Sequence, residues 1–128
     1  MVTEVTEGIK VSVTTKFMED YSNPENDYFI FSYQIRIENQ NPFTVQLLNR
    51  HWEIWDSLSG KRIVDGEGVV GQLPILESGE NYQYESACNL DSEIGSMKGI
   101  YTFKRLSDGS KFEVSIPVFY LEVPLRAN

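Results

Sequence analysis

The sequence predicts an all-β fold in which two antiparallel sheets pack as a β-sandwich of about seven strands. Three observations carry this prediction: apolar and polar residues alternate with a period of two, turn-forming clusters separate the alternating runs, and convincing helical periodicity is absent. Seven short strands in 128 residues are typical of fibronectin type III-like and immunoglobulin-like domains. Because Cys88 is the only cysteine, the intersheet disulfide of antibody-type domains is excluded.

Three strands are predicted in the first half of the chain. Residues 9–17 and 29–37 alternate strictly, and in the second run an aromatic and aliphatic face opposes mostly polar residues. A third strand runs from 45 to 55, with Leu48, Trp52 and Ile54 expected to point inward. The polar segment 20–27 is expected to be a loop.

Four more strands are predicted in the second half. Residues 61–64 follow a turn over 56–60, and residues 82–86 follow a turn over 77–80. Residues 99–106 and 111–121 form a hairpin, since the Asp-Gly pair between them favours a tight turn. The apolar residues Phe112, Val114, Ile116 and Val118 are expected to share one face of the last strand. Pro117 indicates an edge position or a bulge there, because proline donates no ladder hydrogen bond.

The balance of charge narrows the classes of partner. With 11 basic and 19 acidic residues, the net charge of −8 disfavours binding to nucleic acid and to anionic membrane surfaces. No apolar run approaches the roughly 20 residues of a membrane helix, and the first residues lack the features of a signal peptide. With a single cysteine, these features predict one cytoplasmic domain over residues 1–128.

A glycine run with the spacing of a dinucleotide-binding fingerprint occupies residues 66–71, as Gly66, Gly68 and Gly71. That fingerprint binds pyrophosphate at the start of a helix, and Pro74 prevents a helix here. The run is therefore expected to shape a bend between strands. The alternative is a backbone nest for phosphate, with charge added by Lys61 and Arg62 and opposed by neighbouring carboxylates.

Catalytic and metal-binding patterns are weak in this sequence. His51 is the only histidine, and catalysis with Cys88 would require the fold to bring the two together. The acidic groups lack the spacing of a calcium loop, and one histidine with one cysteine does not make a zinc site. We expect no catalytic residues, no metal site and no cofactor.

The two tryptophans project to opposite faces of the third strand. Trp52 is expected in the core, because Leu48 and Ile54 are placed on its face. Trp55 is then either covered by a loop or exposed, and an exposed tryptophan would mark a surface for a protein partner.

Several blocks, in order along nearly the whole chain, resemble the ApaG family. The matching segments are 28–33, 35–39, 45–54, 64–74, 78–80, 82–84, 95–99 and 116–119. The resemblance implies a fibronectin type III-like sandwich. It also implies a bacterial stand-alone protein, often encoded beside a diadenosine tetraphosphatase, with an indirect link to cobalt and magnesium efflux. Related domains in an F-box protein and in a DNA-polymerase-interacting protein imply protein binding, and binding of nucleotide pyrophosphates through the glycine run has been suggested for the family.

Two functional hypotheses follow. The first is a non-enzymatic module that binds another protein through one sheet face or a loop end of the sandwich, a surface that could include Trp55 and the glycine bend. The alternative is a sensor of nucleotide polyphosphate or pyrophosphate that uses Gly66, Gly68, Gly71, Lys61 and Arg62. The physiological partner is not evident from the sequence, and a long alternating edge strand could support a dimer.

Overall fold

Two antiparallel sheets pack face to face in the computed structural model, which describes residues 1–124. In chain order the strands are β1 (Val2–Thr6), β2 (Ile9–Phe17), β3 (Phe29–Asn39), β4 (Val45–Asp56), β5 (Gly60–Glu67), β6 (Ile75–Leu76), β7 (Asn81–Leu90), β8 (Ile94–Arg105) and β9 (Lys111–Glu122). The first sheet has the order β1-β2-β3-β7 and the second the order β5-β4-β8-β9, with β6 beside the start of β4. The predicted antiparallel sandwich is confirmed.

The seven predicted strands are all present, and two further strands escaped prediction. β1 is short and rich in exposed residues, and β6 has only two residues, so neither carries a full alternating pattern. β8 begins at Ile94, five residues before the predicted start, because pairing with β4 and β9 extends it through Gly95. The polar loop holds two single 3₁₀ turns, Glu19–Tyr21 and Pro24–Asn26.

Aromatic side chains from both sheets fill the centre of the sandwich. The Trp52 indole is 3% exposed, which confirms its predicted core position. The centre of its ring lies 5.5 Å from that of Tyr33 and 5.8 Å from that of Phe119, and both pairs meet edge-on. The Tyr33 and Phe119 rings are tilted against each other. Such edge contacts add specificity to the burial of large apolar area.

Two bulges reverse the inward and outward faces of their strands. In β4, Leu48 is an extra residue between Leu47 and Asn49, so Leu47 is buried and the prediction that Leu48 points inward is wrong. After this bulge, the even-numbered residues of β4 point inward, and Arg50 joins Trp52 on the inner face.

The second bulge lies in β9, where two residues, Pro117 and Val118, oppose the single residue Lys98 of β8. Pro117 sits at this bulge on an edge strand, which confirms both readings of that proline. Because the extra residue reverses the alternation, Phe119 is buried and Val118 is exposed. The prediction that Val118 shares the face of Ile116 is therefore wrong.

The two lateral edges of the sandwich differ: the sheets are in contact at one edge and separated by a cleft at the other. On one side, β1 and β2 contact β9. On the other side, the edge strands β5 and β7 border a cleft between the sheets. The fold thus presents a glycine turn after β5, an open cleft between β5 and β7, and the outer face of the second sheet.

Candidate functional site

The glycine run forms a tight turn between β5 and β6, and no α-helix follows it in residues 1–124. Val69 and Gln72 exchange two backbone hydrogen bonds of 2.9 and 3.0 Å. The residues between them, Val70 and Gly71, have φ angles of +48° and +75°, the sign that a type I′ hairpin turn requires. The predicted bend between strands is confirmed. A β-branched residue such as Val70 rarely adopts positive φ, so this turn holds backbone strain.

The remaining two glycines lie in close contact with neighbouring groups. Gly68 has φ +57°, and a Cβ atom there would lie 2.0 Å from the carbonyl oxygen of Gln72. Gly66 lies under the guanidinium of Arg50, which a Cβ atom would approach to 2.7 Å. Arg50 Nη1 donates hydrogen bonds to the carbonyl oxygens of Glu67, at 2.7 Å, and Gly68, at 2.9 Å. Turn geometry and the arginine contact explain the glycine spacing without a phosphate.

Three backbone amides of the turn are already used within the protein. The Gly68 amide donates to the Leu48 carbonyl at 2.8 Å, and the amides of Val69 and Gln72 close the hairpin. A nest for an anion needs several free amides pointing to one place. Ligand binding by Gly66, Gly68 and Gly71 therefore stays a prediction, and the turn offers it few donors.

Lys61 and Arg62 do not join the glycines in one anion site. Lys61 lies opposite Trp55 at the far end of β5. The rise per residue of an extended strand places it about 20 Å from Gly68. Its Nζ atom lies 2.5 Å from the carboxylate of Glu53, and this hydrogen bond holds the pKa of Glu53 below its ordinary value. Because neighbouring strand residues point to opposite faces, Arg62 turns inward instead.

Arg62 reaches across the cleft to β7. Its Nη2 atom donates to the carbonyl oxygen of Asn89 at 2.7 Å and contacts Cys88 Sγ at 3.4 Å. Burial raises the pKa of the Cys88 thiol, and the nearby Arg62 charge opposes that effect. The thiol is therefore protonated at neutral pH, which makes it a poor nucleophile.

The cleft between β5 and β7 has a volume of about 340 Å³ and joins apolar walls to two cations. Trp52, Ile54, Val64 and Met97 supply much of the apolar lining, and Arg50 and Arg62 supply the charge. Tyr33 and Ser86 add hydroxyl groups: burial raises the pKa of Tyr33, while its hydrogen bond with Ser86 and the Arg50 charge act in the opposite direction. Within the described residues, none of the side chains that line this cleft is a carboxylate.

His51 is separated from Cys88 by the sheet itself. His51 lies on the outer face of the second sheet, where its Nδ1 atom is 2.5 Å from Asp65 Oδ1. Cys88 is buried on the inner side. A Cys-His pair is thus not formed. Among residues 1–124, no three His, Cys, Asp or Glu side chains group as a metal site would require.

The outer face of the second sheet carries exposed apolar side chains at one end. We call this surface the Trp55 face and define it by Trp55, Ile63, Ile94, Val118 and Tyr120, which are 45–63% exposed. Trp55 is therefore exposed and not covered by a loop. The other four residues were not predicted for this face; for Val118 and Tyr120 the reason is the β9 bulge at Pro117, which reverses the direction of the side chains beyond it.

Trp55 and the glycine turn lie at opposite ends of β5, because Lys61 pairs with Trp55 and Glu67 pairs with Asn49. They do not form one small surface. Within the described residues, 1–124, no helix combines the length and the apolar character needed to cross a membrane.

Sequence and structure comparisons agree on the family. A family model described as the ApaG domain matches residues 19–105. The chain is 42% identical to the protein ApaG of Brucella canis over 124 residues, covering 97% of this chain and 95% of that protein. It is 43% identical to the protein ApaG of a Methylobacterium species over 119 residues, covering 93% and 91%. A Bordetella pertussis crystal structure, of a protein named ApaA, superposes with a TM-score of 0.87 at 39% identity and covers 91% of this chain and 94% of its own. The chain belongs to the ApaG family.

Proposed function

We propose that this protein is a non-enzymatic module that binds another protein on the Trp55 face. The observation that carries the proposal is the collection of large apolar side chains on one end of an open sheet face, each about half exposed. Scattered single apolar residues are ordinary on protein surfaces, whereas a contiguous group is typical of an interaction site. Tryptophan and tyrosine are also the side chains that contribute most often to binding energy.

Strand register makes these residues neighbours. Trp55 of β4 lies opposite Ser96 of β8, and Ser96 lies opposite Tyr120 of β9. Because the Ser96 side chain between the two aromatic residues is small, the same segment of a partner can contact both rings. Ile63 lies one row further along, on the edge strand opposite Glu53, and extends the apolar area.

Charge favours a basic partner over a second copy of this chain. The net charge of −8 makes two copies repel each other, and it attracts a protein with a basic rim. On the face itself, Glu53 lies between Lys61, its ion-pair partner, and Lys98 on the neighbouring strand β8, so the negative charge of the chain is not concentrated at the centre of this face. We therefore commit to a partner protein that presents an apolar side chain ringed by lysine or arginine.

Alanine at Trp55 or at Tyr120 is expected to weaken binding of this partner by about 30-fold, the loss of a typical aromatic hot spot. The partner is first captured with the wild-type protein and purified, and calorimetry then gives the dissociation constant of each variant. Tyr21→Ala is the matched control, because Tyr21 is 71% exposed but lies in the 3₁₀ turn after β2, away from the Trp55 face.

Loss of affinity in the Tyr21 variant with unchanged affinity in both others would move the interface to the first sheet and contradict the proposal. Self-association of the purified chain that is abolished by Trp55→Ala would replace the basic partner with a second copy. Far-ultraviolet circular dichroism and the unfolding midpoint of each variant show whether the fold is intact.

Other features fit this proposal without being needed for it. An adaptor would act on cobalt and magnesium resistance through its partner, in keeping with the indirect role implied by the family. A free thiol at Cys88 suits the reducing cytoplasm, where we place the protein. The alternative, a nucleotide polyphosphate sensor at the glycine turn, has less support because the turn has already used three amides.

A further inference from the structure

We infer that the cleft between β5 and β7 binds a small molecule carrying two oxyanion groups, phosphate or carboxylate, with one group held by Arg50 and the other by Arg62. This site is distinct from the Trp55 face, which lies on the opposite side of the second sheet. It also differs from the glycine turn, since the donors are guanidinium groups and not backbone amides. The inference does not depend on the proposed protein-binding function.

The first support is that neither Arg50 nor Arg62 forms an ion pair with a described residue. Within residues 1–124 the ion pairs join Lys10 and Arg36 with Glu38, His51 with Asp65, and Lys61 with Glu53. Arg50 and Arg62 take part in none of these, although the chain has eight more acidic than basic residues. Both are partly withdrawn from solvent in a cleft that none of the carboxylates of residues 1–124 lines. The buried Asp56 carboxylate acts electrostatically on Cys88, which Arg62 contacts, but it forms no ion pair with either arginine; a bound oxyanion would supply that missing partner.

The second support is that both guanidinium groups are fixed in place. Arg50 is held through Nη1 by two carbonyl oxygens of the turn, and Arg62 through Nη2 by the Asn89 carbonyl oxygen. Nη2 of Arg50 and Nη1 of Arg62 form no hydrogen bond with the described residues, so each arginine keeps donors for a ligand. Donors held in advance lose little conformational entropy on binding and suit the planar recognition of phosphate or carboxylate.

The spacing favours a ligand with two anionic groups. Arg50 lies opposite Gly66, and Arg62 lies opposite Ile54, so their backbones are four strand residues apart, or about 13 Å. The two side chains are also tied to different ends of the cleft, one to the turn and one to β7. A single small anion would meet one guanidinium, whereas a ligand with two separated anionic groups can contact both, because each arginine side chain extends from its strand into the cleft.

The test is calorimetric titration at fixed ionic strength with three probes: inorganic phosphate, pyrophosphate and succinate. We expect pyrophosphate or succinate to bind, and phosphate to bind more weakly than either. Arg62→Gln should weaken binding about tenfold or more. Lys61→Gln is the matched control, because it removes the same charge from the adjacent residue but on the outer face; its affinity should stay within about twofold.

Amide chemical shifts then locate the probe in the wild-type protein, which covers the case in which Arg62→Gln does not fold. Shifts at Val64, Ser86 and Cys88 support the cleft. Shifts confined to Val70 and Gly71 would place the anion at the glycine turn and overturn the inference. Absence of binding by both divalent probes, or equal losses in the Arg62 and Lys61 variants, would also overturn it. Pyrophosphate binding with silent succinate would identify phosphoryl groups as the preferred chemistry, and the reverse result would identify carboxylates.

Discussion

Replacement of Gly68 by valine is expected to lower the free energy of unfolding by about 3 kcal/mol, since it combines left-handed backbone strain with a steric clash. The φ angle of +57° disfavours every L-residue and a β-branched one most. The new Cβ atom would lie 2.0 Å from the Gln72 carbonyl oxygen and 2.9 Å from a Leu73 methyl group. Urea unfolding followed by tryptophan fluorescence measures the loss.

Gly71→Ala separates the two causes. Gly71 also has positive φ, at +75°, but no atom lies within 4 Å of its Cβ position. Only the backbone cost applies, and we expect a loss of about 1 kcal/mol. Equal losses at the two glycines would show that steric contact with Gln72 does not limit the turn. The comparison also shows why a Gly68 variant is a poor probe of ligand binding, because it damages the turn itself.

Replacement of Asp56 by alanine is expected to destabilise the fold by about 3 kcal/mol, because several buried donors lose their acceptor. The side chain is 2% exposed and accepts hydrogen bonds from the Asp91 amide at 2.6 Å, the Leu58 amide at 3.0 Å and the Ser92 hydroxyl at 2.7 Å. It thereby ties the turn after β4 to the turn after β7. These two turns border the end of the sheet that carries Trp55.

The Asp56 carboxylate should also make the free energy of unfolding depend on pH in the acidic range. Burial by itself raises the pKa of Asp56, but the hydrogen bonds from Asp91, Leu58, Ser92 and Ser59 outweigh it and hold the pKa below its ordinary value of 3.8. A lowered folded-state pKa adds stability above the unfolded-state pKa and loses it as the pH falls through the folded-state value. We expect the free energy of unfolding to decline below about pH 4, and to decline less steeply in Asp56→Asn.

Asp108→Asn is the control for this pH dependence. Its pKa is also lowered, chiefly by the backbone and side-chain hydrogen bonds from Ser110, but Asp108 is exposed in a hairpin turn. Urea titrations between pH 7 and pH 3 should show a smaller change of slope for this variant than for Asp56→Asn. Parallel curves for the wild type and Asp56→Asn would contradict the role given to Asp56.

The sequence predicted the fold well wherever alternation ran without interruption. β3 is the clearest case, because every residue of its expected inner face, from Phe29 to Ile37, is buried. Predictions from alternation failed at the two bulges, because one inserted residue reverses the inward or outward direction of the side chains that follow it in the strand. Leu48 and Val118 were misplaced for this reason. No local pattern marks the Leu48 bulge, while Pro117 was a visible sign of the other.

The candidate sites were harder to predict because they depend on pairing between distant strands. Lys61 and Arg62 are adjacent in sequence and were grouped together, yet strand geometry sends them to opposite faces; this could have been foreseen once residues 61–64 were assigned to a strand. The inward position of Arg50 could have been foreseen as well, since it lies two residues before Trp52, which alternation placed in the core. Tyr120 was missed because its proximity to Trp55 is set by the register across β8.

The most direct test of the Trp55 face uses the two tryptophans as internal reporters in a nuclear magnetic resonance titration. The purified basic partner is added to the ¹⁵N-labelled protein, and Trp55→Ala assigns the two indole N–H signals. The Trp55 indole is exposed and the Trp52 indole is buried. We expect the Trp55 signal to shift and saturate with the partner while the Trp52 signal stays in place. Partner binding that leaves the Trp55 indole unmoved would contradict the proposal that this face is the interface.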